Sequence, residues 1–196
     1  KNQKNEPYFN DLIIQGSAFN KKINVLFEDS IGYLWIGSNN GLFRYDGYSL
    51  VSYQQDAFNP FSIPNNSINS IVEDEHKNLW IGSESYLIHF NRKENKFKGF
   101  NKNITTEILY KSKSGKVFAH LKGIGLLKID SNKDFQKINS TKNYTNSIAA
   151  SKLNAQINSL IEDDFGRYWV ATNKGFFILN EDNTYTETTF KEEIVS

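Results

Sequence analysis

An all-β fold made of repeated small sheets is predicted by three features of this 196-residue chain. The stretch "FEDSIGYLWIGSNNGLF" at 27–43 returns as "VEDEHKNLWIGSESYLI" at 72–88 and as "IEDDFGRYWVATNKGFF" at 161–177. Aromatic residues make up 14% of the chain, and with Val and Ile they favour the pleated surface of a strand. Helical periodicity is nowhere sustained. Leu34, Trp35 and Ile36 are instead consecutive apolar residues, the pattern of a strand covered on both faces.

Aligned on the aromatic after the turn, the units are anchored by Trp35, Trp80, Phe118 and Trp169, at spacings of 45, 38 and 51 residues. Phe118 belongs to a degenerate third copy. Propeller blades recur at about 40 to 50 residues. The prediction is a β-propeller of about four four-stranded antiparallel blades, over 21–60, 61–103, 104–139 and 156–196. Segment 1–20 precedes them and carries one strand.

In the first unit the strands fall at 23–27, 33–38, 42–45 and 49–53. Asp29 is expected to cap the first turn by accepting backbone N–H bonds, and Gly32 to supply a φ that other residues resist. Asn40-Gly41 is a hairpin signal of the type I′ turn, in which both central residues have positive φ. Trp35 is expected to fill the space between blades. The second unit reads as strands at 68–72, 79–81, 87–90 and 97–100. The third reads as 105–110, 117–120, 126–129 and 135–138, and the fourth as 157–161, 168–171, 176–180 and 185–190. Residues 139–156 read as a connecting loop.

Composition excludes several functions. The 23 Lys and Arg against 22 Asp and Glu leave a net charge of +1. That is no basic excess for neutralising phosphates, so nucleic acid is not an expected partner. Without cysteine there are no disulfides, thiolate chemistry or cysteine metal sites, which suits cytoplasm and periplasm alike. Methionine is also absent, so the chain is expected to be a processed or excised piece. No apolar run reaches 18 residues, so no membrane contact is expected within it.

His76, His89 and His120 have no ligating spacing. There is no nucleophile elbow, phosphate loop or calcium loop, and no cofactor is expected. Glu28-Asp29, Glu73-Asp74 and Glu162-Asp163-Asp164 look like glycosidase carboxylates, but they recur at equivalent points of different blades. A catalytic pair must face one bond. Periodic acids are read as turn caps, and no catalytic residue is assigned.

A ligand site should use loops that differ between blades. The candidates are Asn39, Asn40, Glu84, Ser85, Tyr86, Asn173 and Lys174, in the turns before the third strands, with Arg44 and Tyr45 following. Aromatic, amide and ionic groups of this kind suit a sugar.

The run Glu28-Asp29, Gly32, Leu34-Trp35-Ile36-Gly37, Gly41-Leu42 and Arg44-Tyr45-Asp46 resembles the two-component regulator propeller repeat. Glu73-Asp74 with Leu79-Trp80-Ile81-Gly82 resembles it too, although Lys77 and Tyr86 stand where glycines are expected. So do Glu162-Asp163, Gly166, Trp169 and Gly175, while the third unit keeps only Gly115 and Gly125-Leu126. The resemblance implies the periplasmic sensor region of a hybrid two-component histidine kinase responding to glycan-derived oligosaccharides. Its rings have seven blades, so the four here would form part of a ring. Both terminal faces would then be open, seeking the remaining blades or a second copy. A propeller scaffold for another protein is the alternative, and a hydrolase or lyase the remote one. Asp164 to Trp169 also fits the Asp-x-Gly-x-x-Trp box of sialidase-like propellers, itself a structural hairpin.

Overall fold

The computed structural model describes residues 13–14, 17–18, 21–129, 148–149, 156–179 and 185–187. Two short strands, β1 (Ile13–Ile14) and β2 (Ser17–Ala18), pair as a separate antiparallel hairpin, where the sequence predicts a single strand in 1–20.

Four antiparallel sheets follow. The first holds β3 (Ile23–Glu28), β4 (Leu34–Ser38), β5 (Gly41–Tyr45) and β6 (Leu50–Tyr53). The second holds β7 (Ile68–Glu73), β8 (Leu79–Ser83), β9 (Leu87–Asn91) and β10 (Lys96–Phe100). The third holds β11 (Thr106–Lys111), β12 (Val117–Leu121), β13 (Gly125–Ile129) and β14 (Ile148–Ala149), and the fourth β15 (Ile157–Glu162), β16 (Tyr168–Thr172), β17 (Gly175–Leu179) and β18 (Tyr185–Glu187). Each is a meander in chain order. The four-sheet all-β reading therefore stands.

One strand lies where the sequence predicts a loop. The outer strand of the third sheet is β14, which pairs Gly125 with Ala149 and Leu126 with Ile148. It lies inside the stretch read as a loop, and the expected strand at 135–138 falls outside the described residues. An outermost strand is paired on one side only, and two residues suffice here. Local apolar alternation is a weak guide to such a strand.

The first strands β3, β7 and β11 lie side by side, which makes the first strand the innermost in these three sheets. Each of these three strands, and β15 with them, has a step in register near its start, between Ile23 and Val25, Ile68 and Ser70, Thr106 and Ile108, and Ile157 and Ser159. Such a bulge aims its extra residue sideways. Asn24 Nδ2 thereby donates to Ile68 O at 2.9 Å, and Asn69 Nδ2 to Thr106 O at 3.4 Å. Close approach needs glycine opposite. A Cβ on Gly37 would sit 2.6 Å from both Ile68 Cγ2 and Val25 Cγ1. A Cβ on Gly82 would meet Ser70 Oγ and Thr106.

The core lies between sheets. Trp35 packs with Ile68, Ile71, Phe90 and Phe97 of the second sheet. Trp80 and Val72 pack with Leu109, Val117 and Ala119 of the third. Phe118 packs with Leu160 and Val170 of the fourth. Strand residues alternate in direction, so Trp80 faces one neighbour while Ile81 faces the other. Burying each large apolar side chain contributes about 1.5–3 kcal/mol.

Asn40 does not adopt the expected type I′ conformation. Gly41 alone in that turn has positive φ, 117°. Ser38 Oγ accepts from Asn40 N at 3.0 Å and donates to Gly41 O at 3.0 Å, so a side chain closes the turn. Thr172 does the same at Lys174 and Gly175. Ser83 binds both backbone groups of Tyr86, which needs no positive φ.

Candidate functional site

The recurring acids divide into two jobs. The aspartate caps its own turn: Asp29 Oδ1 accepts from Ile31 N at 2.9 Å and Tyr33 N at 3.0 Å, and Oδ2 accepts from the Trp35 indole at 2.6 Å. Asp163 does likewise with Phe165 N, Arg167 N and Trp169 Nε1, each at 2.9 Å. Asp74 Oδ1 caps His76 N and Asn78 N at 2.9 Å. In the degenerate third unit Ser112 Oγ takes over, accepting from Lys116 N at 3.1 Å. Lys77 stands in for the turn glycine at φ 62°. The capping residue in the fourth sheet is thus Asp163. Asp164, the acid of the alternative Asp-box alignment, is exposed and pairs with Lys113 at 2.6 Å.

The glutamate reaches back to the preceding sheet. Glu73 accepts from Ser30 N and Ser30 Oγ, both at 3.1 Å. Glu162 accepts from Ser114 N at 2.6 Å, and this bond leads in holding its carboxyl below the ordinary value. Arg92 completes the first seam, binding Asp29 at 2.8 Å, Glu73 at 3.1 Å and Lys77 O at 2.7 Å. Burial opposes ionisation of Asp29. The bonds from Trp35, Arg92, Tyr33 and Ile31 outweigh it and hold the carboxyl below its usual value. Acids committed to turns and seams do not converge on a substrate bond.

The proposed ligand residues lie at both ends of their strands. Asn39, Asn40, Glu84, Asn173 and Lys174 occupy exposed turns at the end where the chain crosses between sheets. Gln54 Nε2 donates to Asn40 O at 3.3 Å, and Gly41 N to Asn66 O at 2.7 Å. Ser85 O there accepts from Asn103 N at 2.9 Å. Tyr86 is half-buried, its ring lying over Gly99 beside Pro64. Arg44 and Tyr45 sit toward the opposite end of β5, about 10–13 Å along the strand from Gly41. Arg44 stacks on Tyr33 at 4.6 Å, and the Tyr45 hydroxyl donates to Gly47 O at 2.6 Å.

A cleft of ≈ 580 Å³ runs along the outer edge of the second sheet. Its wall includes Phe61, Pro64, Asn91, Lys96, Phe97 and Lys98. The 54–67 crossover roofs it, fixed by Phe97 N donating to Phe61 O at 3.0 Å. Lys96 Nζ lies 4.7 Å from the Phe61 ring centre. The volume falls within the range of small-molecule sites. Sequence reading missed these residues; the available signal was the aromatic and proline content of 58–64.

Two histidines are buried. Burial lowers the pKa of His89 and of His120, against opposing fields from Asp74 and Glu107. His120 Nδ1 lies 3.1 Å from Glu107 Oε2. Among the described residues no three His, Cys, Asp or Glu side chains gather as a metal site, and no helix is long and apolar enough to cross a membrane.

Successive four-stranded meanders, packed face to face through their aromatic strands, define a β-propeller. Residues 17–40, 62–85 and 151–174 match the family described as "Two component regulator propeller". No curated protein matches it in sequence. Among solved structures it is similar to the extracellular domain of BT4673 from B. thetaiotaomicron, classed as a hybrid two component system. That match has TM-score 0.65 and 22% identity, and covers 94% of this chain and 27% of that one. An inactive variant of virginiamycin B lyase from Staphylococcus aureus matches with TM-score 0.59 and 13% identity, over 88% of this chain and 57% of that one. A protein of unknown function from Bacteroides caccae matches with TM-score 0.51 and 15% identity, over 91% and 64%. At these identities the shared property is the fold.

Proposed function

We propose that this chain is part of the extracytoplasmic, periplasmic sensing region of a hybrid two-component histidine kinase, and that it binds a glycan-derived oligosaccharide. The observation that carries this reading is the threefold match to the regulator propeller family, on an arc sharing its fold with such an extracellular domain. The exposed turns at Asn39, Asn40, Glu84, Asn173 and Lys174 and the cleft beneath Phe61 supply amides, charges and an aromatic face. A bound sugar would act by preferring one arrangement of the sensor, and its differential affinity would set the size of the response.

Isothermal calorimetry against a panel of plant and host-glycan oligosaccharides tests it. The expected result is saturable binding of one class of sugar, weakened at least tenfold by Phe61→Ala or Asn40→Ala. Absence of binding across the panel, by a full sensor containing this region and shown to be folded, contradicts the sugar assignment.

A further inference from the structure

The cleft on the outer edge of the second sheet carries a pair of lysines that the repeat does not require. Lys98 stands opposite His89 and Lys96 opposite Asn91, and residues facing across antiparallel strands share one face of the sheet. Trp80 pairs with His89 as Trp35 does with Arg44, so the register carries over to the first sheet. There Val51 stands opposite Arg44, and Val51 and Ser49 hold the places of Lys98 and Lys96. In the fourth sheet Thr186 stands opposite Ile178, the partner of Trp169. Among these three sheets the lysine pair belongs to the second alone.

The fold fixes where the two ammonium groups stand. Phe97 lies between the lysines and turns to the opposite face, 5% exposed and packed on Phe90 with ring centres 4.5 Å apart. It anchors Lys96 and Lys98 on the cleft side, about 6.5–7 Å apart along the strand. Lys96 Nζ lies over Phe61, and Lys98 Nζ lies 5.2 Å from the Phe100 ring centre. An aromatic face positions an ammonium without neutralising it. Phe61 is itself 50% exposed, so its ring still offers surface to a ligand.

The wall holds two cations against one acid, Glu94. Glu94 meets Lys96 at 3.3 Å, both side chains being about half exposed. An ion pair so open to water contributes little and yields to a competing anion. Burial lowers the pKa of His89, which leaves it neutral at pH 7. A neutral sugar bound here would strip water from two ammonium groups and return no charge. An anionic one supplies it.

We propose that this cleft takes an acidic oligosaccharide, with a carboxylate or sulfate group held between Lys96 and Lys98 and a sugar ring against Phe61. The inference rests on the sugar-sensing reading and narrows it to one class. Glu94 weakens the site by competing for Lys96.

Isothermal calorimetry on a full sensor containing this region tests it, with three probes of equal length: an oligogalacturonide, a chondroitin sulfate oligosaccharide and a neutral galacto-oligosaccharide. At least one acidic probe is expected to bind tenfold or more tightly than the neutral one, and the tighter of the two identifies the anionic group. Lys96→Gln with Lys98→Gln should abolish that preference, and Glu94→Gln should increase it severalfold. Near-UV circular dichroism verifies that the variants are folded, and Lys98→Gln alone, at an exposed position, serves if the double variant is not. Equal affinity for acidic and neutral probes overturns the proposal while leaving the sugar reading in place. So does an acidic preference that survives loss of the lysines. Failure of every probe to bind counts against the sugar reading itself and takes this proposal with it.

Discussion

Replacing Asp29 by alanine removes a cap, a seam contact and an indole partner at once. Trp35 is 0% exposed, so its N–H would be left buried without an acceptor, a loss of about 1–3 kcal/mol. The bonds from Ile31 N and Tyr33 N, at 2.9 and 3.0 Å, each contribute about 0.5–1.5 kcal/mol net. Arg92 keeps Glu73 and Lys77 O as partners, which limits its share. Allowing for non-additivity among neighbours, the total is about 3–4 kcal/mol, a large part of the roughly 5–15 kcal/mol that holds an ordinary domain. Urea unfolding followed by tryptophan fluorescence measures it. Asp163→Ala is the internal control, because it deletes the same kind of cap in a turn that water reaches. A clearly smaller loss is expected there. Equal losses at the two positions would refute the claim that burial in the seam makes Asp29 matter.

Four further outcomes are expected. Gly37→Ala should lower stability by about 1–3 kcal/mol through overpacking, since its Cβ would lie 2.6 Å from Ile68; an unchanged urea midpoint contradicts the tight seam. Arg92→Lys should cost about 1–2 kcal/mol, because an ammonium cannot reproduce the guanidinium fork between Asp29 and Glu73; a melting temperature equal to wild type counts against that role. Lys77→Gly should stabilise by about 0.5–1 kcal/mol by relieving a left-handed lysine; destabilisation in the same assay argues otherwise.

The fourth concerns pH. Asp29 and Asp163 are held below the ordinary carboxylate value, and backbone and hydroxyl bonds from Ser49, with Tyr48 N, lower Asp46 to about 2. Depressed carboxyls stabilise fully above their unfolded value near pH 4 and lose that contribution as pH falls through the native one. His89 and His120, kept neutral by burial, favour protonation in the unfolded chain below about pH 6.5. Stability should therefore be level above neutrality, decline below about pH 6.5, and fall steeply below about pH 4. Greatest stability in acid, by urea titration from neutral to acid pH, contradicts these assignments.

The sheets were legible because their inner strands are buried on both faces and carry continuous apolar triplets such as Leu34-Trp35-Ile36. Outer strands, paired on one side, leave a fainter trace, which is why β14 reads as loop in the sequence. The capping role of Asp29 was readable from turn chemistry. The separate role of Glu73 was not, because its partner Ser30 lies 43 residues away on another sheet. At Asn40 the sequence pointed to a local rule, but the Ser38 hydroxyl closes the turn by a different route. The candidate loop residues were correctly assigned to turns, yet linear spacing could not show that Arg44 and Tyr45 point toward the opposite end. Nor could it show that the 54–67 crossover folds down over β10.

The central structural claim is an open arc of four blades whose repeated acids clasp one sheet to the next. The chain lacks native cysteine, so Leu26→Cys and Ile161→Cys accept a pair of spin labels cleanly. Pulsed dipolar spectroscopy between them should give a separation well beyond the ~10 Å of face-packed sheets. A distance near that spacing would mean that the first and fourth sheets meet in a closed ring, and would contradict the account.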